Sequence, residues 1–253
     1  MLRWMLLSLC MLASSMGFAQ TNPSSESRNE KVSVPFVGCE ADGQMGSVKA
    51  PDGKSMHVLI SADAASRLAY YKSEERLGVL APRGWHCFGV YGSNGYALYA
   101  SPERITVSEV LSGKWKGFAG PAIELAAQDG GTSGRFTVAR VIARVFPERR
   151  PFVERVIAEG IEPADSFPSG PYPVDKLTYR SKQMVEYATP ANADGLGTNS
   201  RLIKSGHPIT GVAILVGETP DLVHLAVRLS PDLSDLASSI IQQLEGDAEH
   251  SDH

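Results

Sequence analysis

The sequence has few long hydrophobic runs. The apolar run between Trp4 and Gly17 is shorter than a membrane span, and none of the 253 residues belongs to an apolar segment long enough to cross a bilayer as a helix. Once that stretch is removed, the sequence therefore predicts no integral membrane segment. Lysine and arginine do not form a cluster, and the net charge is −4, which argues against a nucleic-acid partner.

Motifs for metals, nucleotides and common hydrolases are also missing. The six histidines and three cysteines show neither His-x-x-x-His nor Cys-x-x-Cys spacing, so we expect no metal site. The glycine-rich segment 130–135 (GGTSGR) lacks the Gly-Lys-Ser/Thr ending of a Walker loop and the Gly-x-Ser-x-Gly order of a hydrolase. No cofactor is expected, and nothing in the sequence establishes an enzyme.

The beginning of the chain has the pattern of a cleavable signal peptide. Arg3 precedes the apolar run, which is shorter than a membrane span, and Gly17 and Ala19 supply small residues for signal peptidase. We expect cleavage after Ala19 and a periplasmic or secreted protein. Leu9 disfavours the alternative of a lipoprotein signal ending at Cys10, because a small residue is expected before that cysteine.

The remaining chain predicts one domain with polar ends. Hydrophobic residues make up 43% of the sequence, enough for a core, whereas residues 20–30 and 246–253 are polar and are expected to be disordered. The predicted domain covers residues 31–245. It includes a helical insert at 135–160, where apolar residues recur with helical spacing on either side of Pro147.

Short runs rich in valine and aromatic residues, broken by glycine and proline, predict antiparallel strands. In the first half these are 33–39, 57–60, 78–81, 85–91, 96–100 and 122–127, with a tight turn at 93–95. Segment 64–72 is left open between helix and strand. A second group is predicted at 177–187, 201–204, 211–216 and 223–229. In segment 177–187, Tyr179 and Tyr187 are assigned to a buried face.

The last element has the clearest helical pattern. Ser230 is a candidate N-cap, Pro231 lies in the first turn, and Leu236, Ile240 and Leu244 share one apolar stripe. The fold class predicted is therefore α+β. An antiparallel sheet carries helices packed on it, and the C-terminal amphipathic helix covers one face.

Two segments resemble a known group of exported proteins. Residues 77–85 (LGVLAPRGW) and the ending 225–244, a strand followed by a capped amphipathic helix, are similar to the PsbP and DcrB-like α+β sandwich proteins. The resemblance implies a noncatalytic binding or assembly role. The chain as a whole resembles a family of exported bacterial proteins.

Two cysteines remain after signal cleavage, at Cys39 and Cys87. An even number of cysteines in an exported chain usually pairs, so we predict a disulfide. A reactive redox pair is the alternative, and the wide spacing argues against it.

Three short segments supply candidate ligand-binding residues. Thr132, Ser133 and Arg135 could hold an anion with free backbone amides, although a glycine turn that caps a helix explains the same residues. The long loop 188–199 contributes Asn192 and Asp194, which are also ordinary turn formers. The third candidates, Trp85 and His86, adjoin Cys87 and could line a pocket, but plain packing is the simpler interpretation.

Two functions remain open from the sequence. The favoured one is a noncatalytic exported protein that binds an envelope protein or a small ligand through surface loops, because no catalytic signature is present. The alternative is a hydrolase or transferase in which Ser133 or a histidine meets a carboxylate in the fold.

Overall fold

A computed structural model of the protein describes residues 29–74 and 77–251. The predicted signal peptide and most of the predicted N-terminal segment lie outside the described residues. The strands are β1 (Glu30–Gly38), β2 (Ala41–Gly43), β3 (Ser55–Ile60), β4 (Leu68–Lys72), β5 (Val79–Pro82), β6 (His86–Gly92), β7 (Gly95–Ser101), β8 (Ala122–Gln128), β9 (Lys176–Tyr179), β10 (Met184–Thr189), β11 (Ile209–Val216) and β12 (Asp221–Arg228). The α-helices are α1 (Ala62–Arg67), α2 (Val107–Leu111), α3 (Arg135–Val145), α4 (Arg150–Ala158) and α5 (Ala237–Ser251).

The strands form two sheets. The smaller has the order β3-β1-β4-β5, and the larger has the order β2-β6-β7-β8-β12-β11-β10-β9. Neighbours are antiparallel except for the pairs β1–β4 and β2–β6. The α+β class with mostly antiparallel sheets is therefore confirmed.

The larger sheet separates two hydrophobic cores, because successive side chains of a strand point to opposite faces. One face packs against the smaller sheet, and α5 closes this core with Leu236, just before the helix, and with Ile240 and Leu244. The other face packs against α3 and α4. The predicted helical insert therefore covers one side of the larger sheet, and the C-terminal helix covers the other.

The C-terminal helix differs from its prediction at both ends. Residues Pro231–Leu236 form a 3₁₀ turn, and Ser230 makes no side-chain capping bond. The α-helix then runs to Ser251, past Gly246, where the polar composition had predicted a disordered tail. Ala248 is only 6% exposed and packs in the core between the sheets, which continues the apolar stripe by one turn.

The prediction of a single strand at 177–187 is wrong. The chain reverses between Tyr179 and Met184, so β9 and β10 form a hairpin in which Val185 pairs with Tyr179. Tyr179 is 53% exposed, while Tyr187 is buried as expected. Segment 64–72, left open by the sequence, divides into the end of α1 and all of β4.

The predicted disulfide is confirmed. Cys39 and Cys87 have an Sγ–Sγ distance of 2.04 Å and a Cα–Cα distance of 5.4 Å. Cys39 follows β1 of the smaller sheet and Cys87 belongs to β6 of the larger one. The bond therefore joins the two sheets covalently.

Among the helices of residues 29–74 and 77–251, none combines the length and the apolar composition that crossing a bilayer requires.

Candidate functional site

The backbone amides of the glycine-rich turn after β8 are already bonded within the protein. The Gly130 amide donates to the carboxylate of Asp221 at 2.8 Å, and the Gly131 amide donates to the carboxylate of Asp129 at 2.7 Å. An anion at this turn would have to displace two carboxylates of its own charge sign.

The side chains of the same turn are engaged as well. Arg135 forms a bidentate ion pair with Glu159, with nitrogen–oxygen distances of 2.6 to 3.0 Å. The Thr132 hydroxyl donates to the Asp129 carbonyl, and the Ser133 hydroxyl lies 3.2 Å from the hydroxyl of Ser93. Neither Thr132 nor Ser133 caps α3, whose N-cap is Gly134 without a side-chain bond.

The loop candidates Asn192 and Asp194 hold the loop after β10 to the segment that follows it. Asn192 has a φ of 58°, a left-handed conformation that asparagine tolerates better than most residues. Its backbone amide donates to the Ser205 carbonyl at 2.8 Å, and Asp194 pairs with Lys204 at 2.6 Å.

Trp85 and His86 lie beside the disulfide, as the sequence places them. Trp85 is half-buried against the core between the sheets, and its amide donates to the Tyr71 hydroxyl at 3.2 Å. His86 is exposed and lines a cavity of about 780 Å³ together with Cys87. The three predicted groups of residues thus lie on three segments, the turn after β8, the loop after β10 and the start of β6.

A fourth place, which the sequence analysis missed, is centred on Glu124 of β8. Glu124 pairs with Tyr99 of β7 on one side and with Ala226 of β12 on the other. In the next strands, Ala226 pairs with Gly211, and Gly211 pairs with Tyr187. These five residues therefore form one row across the face of the larger sheet that α3 covers.

The two small residues of this row, Ala226 and Gly211, lie between Glu124 and Tyr187 and leave space there. The Tyr187 side chain reaches across β11, and its hydroxyl donates to the Leu225 carbonyl at 2.8 Å. A Cβ atom on Gly211 would lie 2.6 Å from that hydroxyl and 1.9 Å from the carbonyl oxygen. Glycine is therefore required at this position for Tyr187 to approach the centre of the sheet.

Glu124 is a buried acid whose one hydrogen bond among the described residues comes from a backbone amide. It is 6% exposed, and its Oε2 accepts a hydrogen bond from the Arg201 backbone amide at 2.5 Å. Within the part of the chain that the structure describes, no cationic nitrogen lies within 4.0 Å of its carboxylate. Burial raises the pKa of Glu124 to about 7, and the amide and charge of Arg201 only partly oppose this shift.

A cavity of about 510 Å³ opens above Glu124, and we call it the Glu124 pocket. Its wall is formed by β6, β7, β8, the first turn of α3 and segment 198–201. Besides Glu124 and Tyr99, its polar lining includes Asn94, Gln128, Thr137, Asn199, Ser200 and Arg201. A concave site with a few converging polar groups and a titratable residue of perturbed pKa is the usual form of a small-molecule site.

The aromatic neighbours of Glu124 stay uncharged at neutral pH. Burial, and then the charge of Glu124, raises the pKa of both Tyr99 and Tyr187 well above its usual value. The His224 ring stacks on Tyr187 with a centroid distance of 5.4 Å, and burial lowers the pKa of His224 to about 4. The histidine is thus a neutral, buried ring.

A buried arginine fixes the segment that carries Arg201. Arg228 is 0% exposed, and its guanidinium donates to the Phe118 carbonyl at 2.9 Å and to the Ile203 carbonyl at 2.5 Å. The Phe118 amide in turn donates to the Arg201 carbonyl at 2.7 Å. Arg201 is therefore held at the pocket by bonds on both sides of it.

In residues 29–74 and 77–251, no group of three or more His, Cys, Asp or Glu side chains is placed to bind a metal ion. The Glu124 pocket instead offers hydrogen bonds and two opposite charges.

Comparisons of the chain with protein-family models, with curated proteins and with solved structures found no match. The resemblance to the PsbP and DcrB-like group, carried by residues 77–85 and 225–244, therefore stays a prediction. The sequence signal for the pocket was one acid within the otherwise uncharged strand 122–128 (AIELAAQ).

Proposed function

We propose that the protein is a noncatalytic binding protein that takes up a small polar ligand in the Glu124 pocket. The observation that carries this proposal is a nearly buried carboxylate that faces a cavity and has no cationic nitrogen within 4.0 Å among the described residues. Burying a charged group is unfavourable unless it is paired, so such groups in a cleft are candidates for ligand contact. The ring of amide and hydroxyl side chains around the pocket suits a polar molecule.

Binding is favoured over catalysis by what surrounds the candidate nucleophile. Acyl transfer by serine needs a base within hydrogen-bond reach of its hydroxyl. The contact of Ser133 is with Ser93, while His224 is stacked on Tyr187 on the covered face of the sheet. The hydrolase or transferase alternative has no comparable observation in its favour.

We also propose that the protein works outside the cytoplasm, in the periplasm or after secretion. The disulfide between Cys39 and Cys87 supports this location, because disulfides persist in oxidising compartments. Mass mapping of the N-terminus of protein recovered from a bacterial host tests it. A chain that begins at Gln20 is expected, whereas an intact Met1 or a lipid on Cys10 would contradict the proposal.

Ligand binding can be tested by thermal shift with a panel of amino acids, monosaccharides, carboxylic acids and polyamines. A ligand present at about 100 times its Kd should stabilise the protein by about 2.7 kcal/mol. Thr137→Trp would fill the pocket and abolish that shift. Thr219→Trp, at an exposed position in the turn before β12, is the matched control and should keep it.

Two results would contradict the proposed function. One is that no member of the panel shifts the melting temperature of the wild-type protein. The other is a ligand that stabilises wild type and Thr137→Trp equally, because it would bind outside the Glu124 pocket.

A further inference from the structure

Resting on the proposed function, we propose that the ligand of the Glu124 pocket is a free α-amino acid. Its ammonium group would pair with Glu124 and its carboxylate with the guanidinium of Arg201. Its side chain would extend along β8 towards Gln128 and end in a hydrogen-bond donor.

The two charges of the pocket lining are opposite and close, but they do not neutralise each other. Glu124 and Arg201 are the charged residues of the lining, and among the described residues neither makes an ion pair within 4.0 Å. The charge of Arg201 nevertheless acts on both Glu124 and Tyr99, and the Arg201 side chain also hydrogen-bonds the Tyr99 hydroxyl. A separate acid and base at one end of a cavity match a small zwitterion, whose own charges are a few bonds apart.

Each half of the zwitterion suits the group assigned to it. An ammonium brings compensating positive charge to a carboxylate that burial otherwise disfavours, and it donates hydrogen bonds that Glu124 can accept. A guanidinium matches a carboxylate with two parallel hydrogen bonds. The other arginine near this end of the sheet, Arg228, is already bonded to backbone carbonyls and is fully buried.

The other end of the pocket indicates the type of side chain. Glu124 and Gln128 lie four residues apart on the same strand, which corresponds to about 13 Å. The Oε1 atom of Gln128 is buried and has no hydrogen-bond partner in residues 29–74 and 77–251. A buried acceptor without a donor is unfavourable, so a ligand N–H or O–H that bonds this oxygen, once the Gln128 amide turns it towards the pocket, would be preferred.

The test uses the oxidised full-length mature protein and isothermal titration with the twenty free L-amino acids. For each amino acid that binds, the N-acetyl derivative and the corresponding amine without the carboxylate are titrated as well. N-acetylation and loss of the carboxylate should each weaken binding to wild type at least tenfold. Glycine and alanine, which cannot reach Gln128, should bind more weakly than amino acids with long donor side chains.

Variants assign each half of the ligand to its residue. Glu124→Gln should weaken the amino acid at least tenfold but leave the affinity of the N-acetyl derivative unchanged. Arg201→Gln should also weaken the amino acid at least tenfold, but it should leave unchanged the affinity of the corresponding amine, which has no carboxylate. The matched controls are Glu218→Gln, in the exposed turn before β12, and Arg155→Gln, exposed on α4, and both should bind like wild type.

The outcomes separate this inference from the proposed function. If a sugar, a carboxylic acid or a polyamine binds instead, and Thr137→Trp blocks it, the pocket is a binding site but the amino-acid assignment is wrong. If amino acids bind but Glu124→Gln has no effect on them, the assignment of the ammonium is wrong. If no probe binds, or Thr137→Trp blocks none, both proposals fail.

Discussion

Replacing Glu124 by glutamine should change how the stability of the protein depends on pH. Glu124 has a usual pKa of 4.5, which burial raises to about 7 in the folded state. Below pH 4.5 the carboxyl is protonated in both the folded and the unfolded state, so its burial carries no penalty. As pH rises from 4.5 to 7, the unfolded chain ionises first, and the free energy of unfolding falls.

The size of the pKa shift of Glu124 determines how much the free energy of unfolding changes with pH. A difference of about 2.5 pH units between the folded and unfolded pKa corresponds to about 3 kcal/mol, because each unit is about 1.4 kcal/mol. Glutamine has nearly the same shape and keeps an oxygen that can accept the Arg201 amide. Glu124→Gln should therefore match wild type at pH 4.5 and exceed its stability by up to about 3 kcal/mol at pH 8.

Wild type has to be compared with Glu124→Gln because His224 also contributes to the pH dependence of stability. Burial lowers its pKa from 6.5 to about 4, so stability is lost as pH falls from 6.5 to 4, when only the unfolded chain takes up the proton. The effects of Glu124 and His224 thus have opposite signs between pH 4.5 and 6.5, and they should partly cancel in wild type. In Glu124→Gln, the rise of stability with pH that His224 causes should become visible.

Urea unfolding followed by tryptophan fluorescence at pH 4.5, 6 and 8, without reductant, measures these differences. Glu218→Gln, which removes an exposed carboxylate, should show no such change with pH. A stability difference between wild type and Glu124→Gln that is the same at pH 4.5 and pH 8 would refute the reasoning.

Three further predictions concern the cores and the disulfide. Ile240→Ala should lower the free energy of unfolding by about 2 to 5 kcal/mol, because Ile240 is fully buried under the sheets. Peptide mapping without reductant should recover Cys39 linked to Cys87, and replacing both by serine should cost roughly 4 kcal/mol through loss of the closed loop. Gly211→Ala should cost about 3 kcal/mol, since its Cβ would meet the neighbouring strand. All three stabilities can be measured by urea unfolding.

Each of these predictions has a control variant or an outcome that would contradict it. Ser238→Ala, exposed on the same helix as Ile240, should change stability by less than about 0.5 kcal/mol, and an equally small loss at Ile240 would mean that the helix is not packed. Gly206→Ala has open space around the new Cβ and should be similarly neutral. Two free thiols in the mature protein would contradict the bond between Cys39 and Cys87.

Local signals were enough to predict the elements that depend on local order. The apolar stripe of the last helix and the paired cysteines were readable from spacing and composition alone. The hairpin of β9 and β10 was not, because its turn at Ser181, Lys182 and Gln183 has serine as its one common turn residue and contains no Gly, Pro, Asn or Asp. Side-chain alternation continued through this turn, so the two strands looked like one.

The Glu124 pocket could not be predicted because segments that are distant in sequence assemble it. Glu124 meets segment 198–201 only in the folded chain, where the Arg201 amide donates to the Glu124 carboxylate. The segments that were predicted instead contain glycine, threonine and asparagine, and their polar groups are bonded to other parts of the protein, as in the pairs Arg135–Glu159 and Asp194–Lys204. Their composition is that of turns, whereas Glu124, an acid inside an otherwise uncharged strand, was the better indicator of the pocket.

The position of β8 in the larger sheet also bears on how the chain folds. Its neighbour β7 precedes it closely, but on its other side Leu125 pairs with Leu225, near the end of the chain. A chain that emerges from its N-terminus therefore exposes the apolar edge of β8 until β12 arrives, and such unpaired edges promote aggregation. Assembly of the larger sheet should be slow and should follow delivery of the last third of the protein, and a product cut before Asp221 should be insoluble.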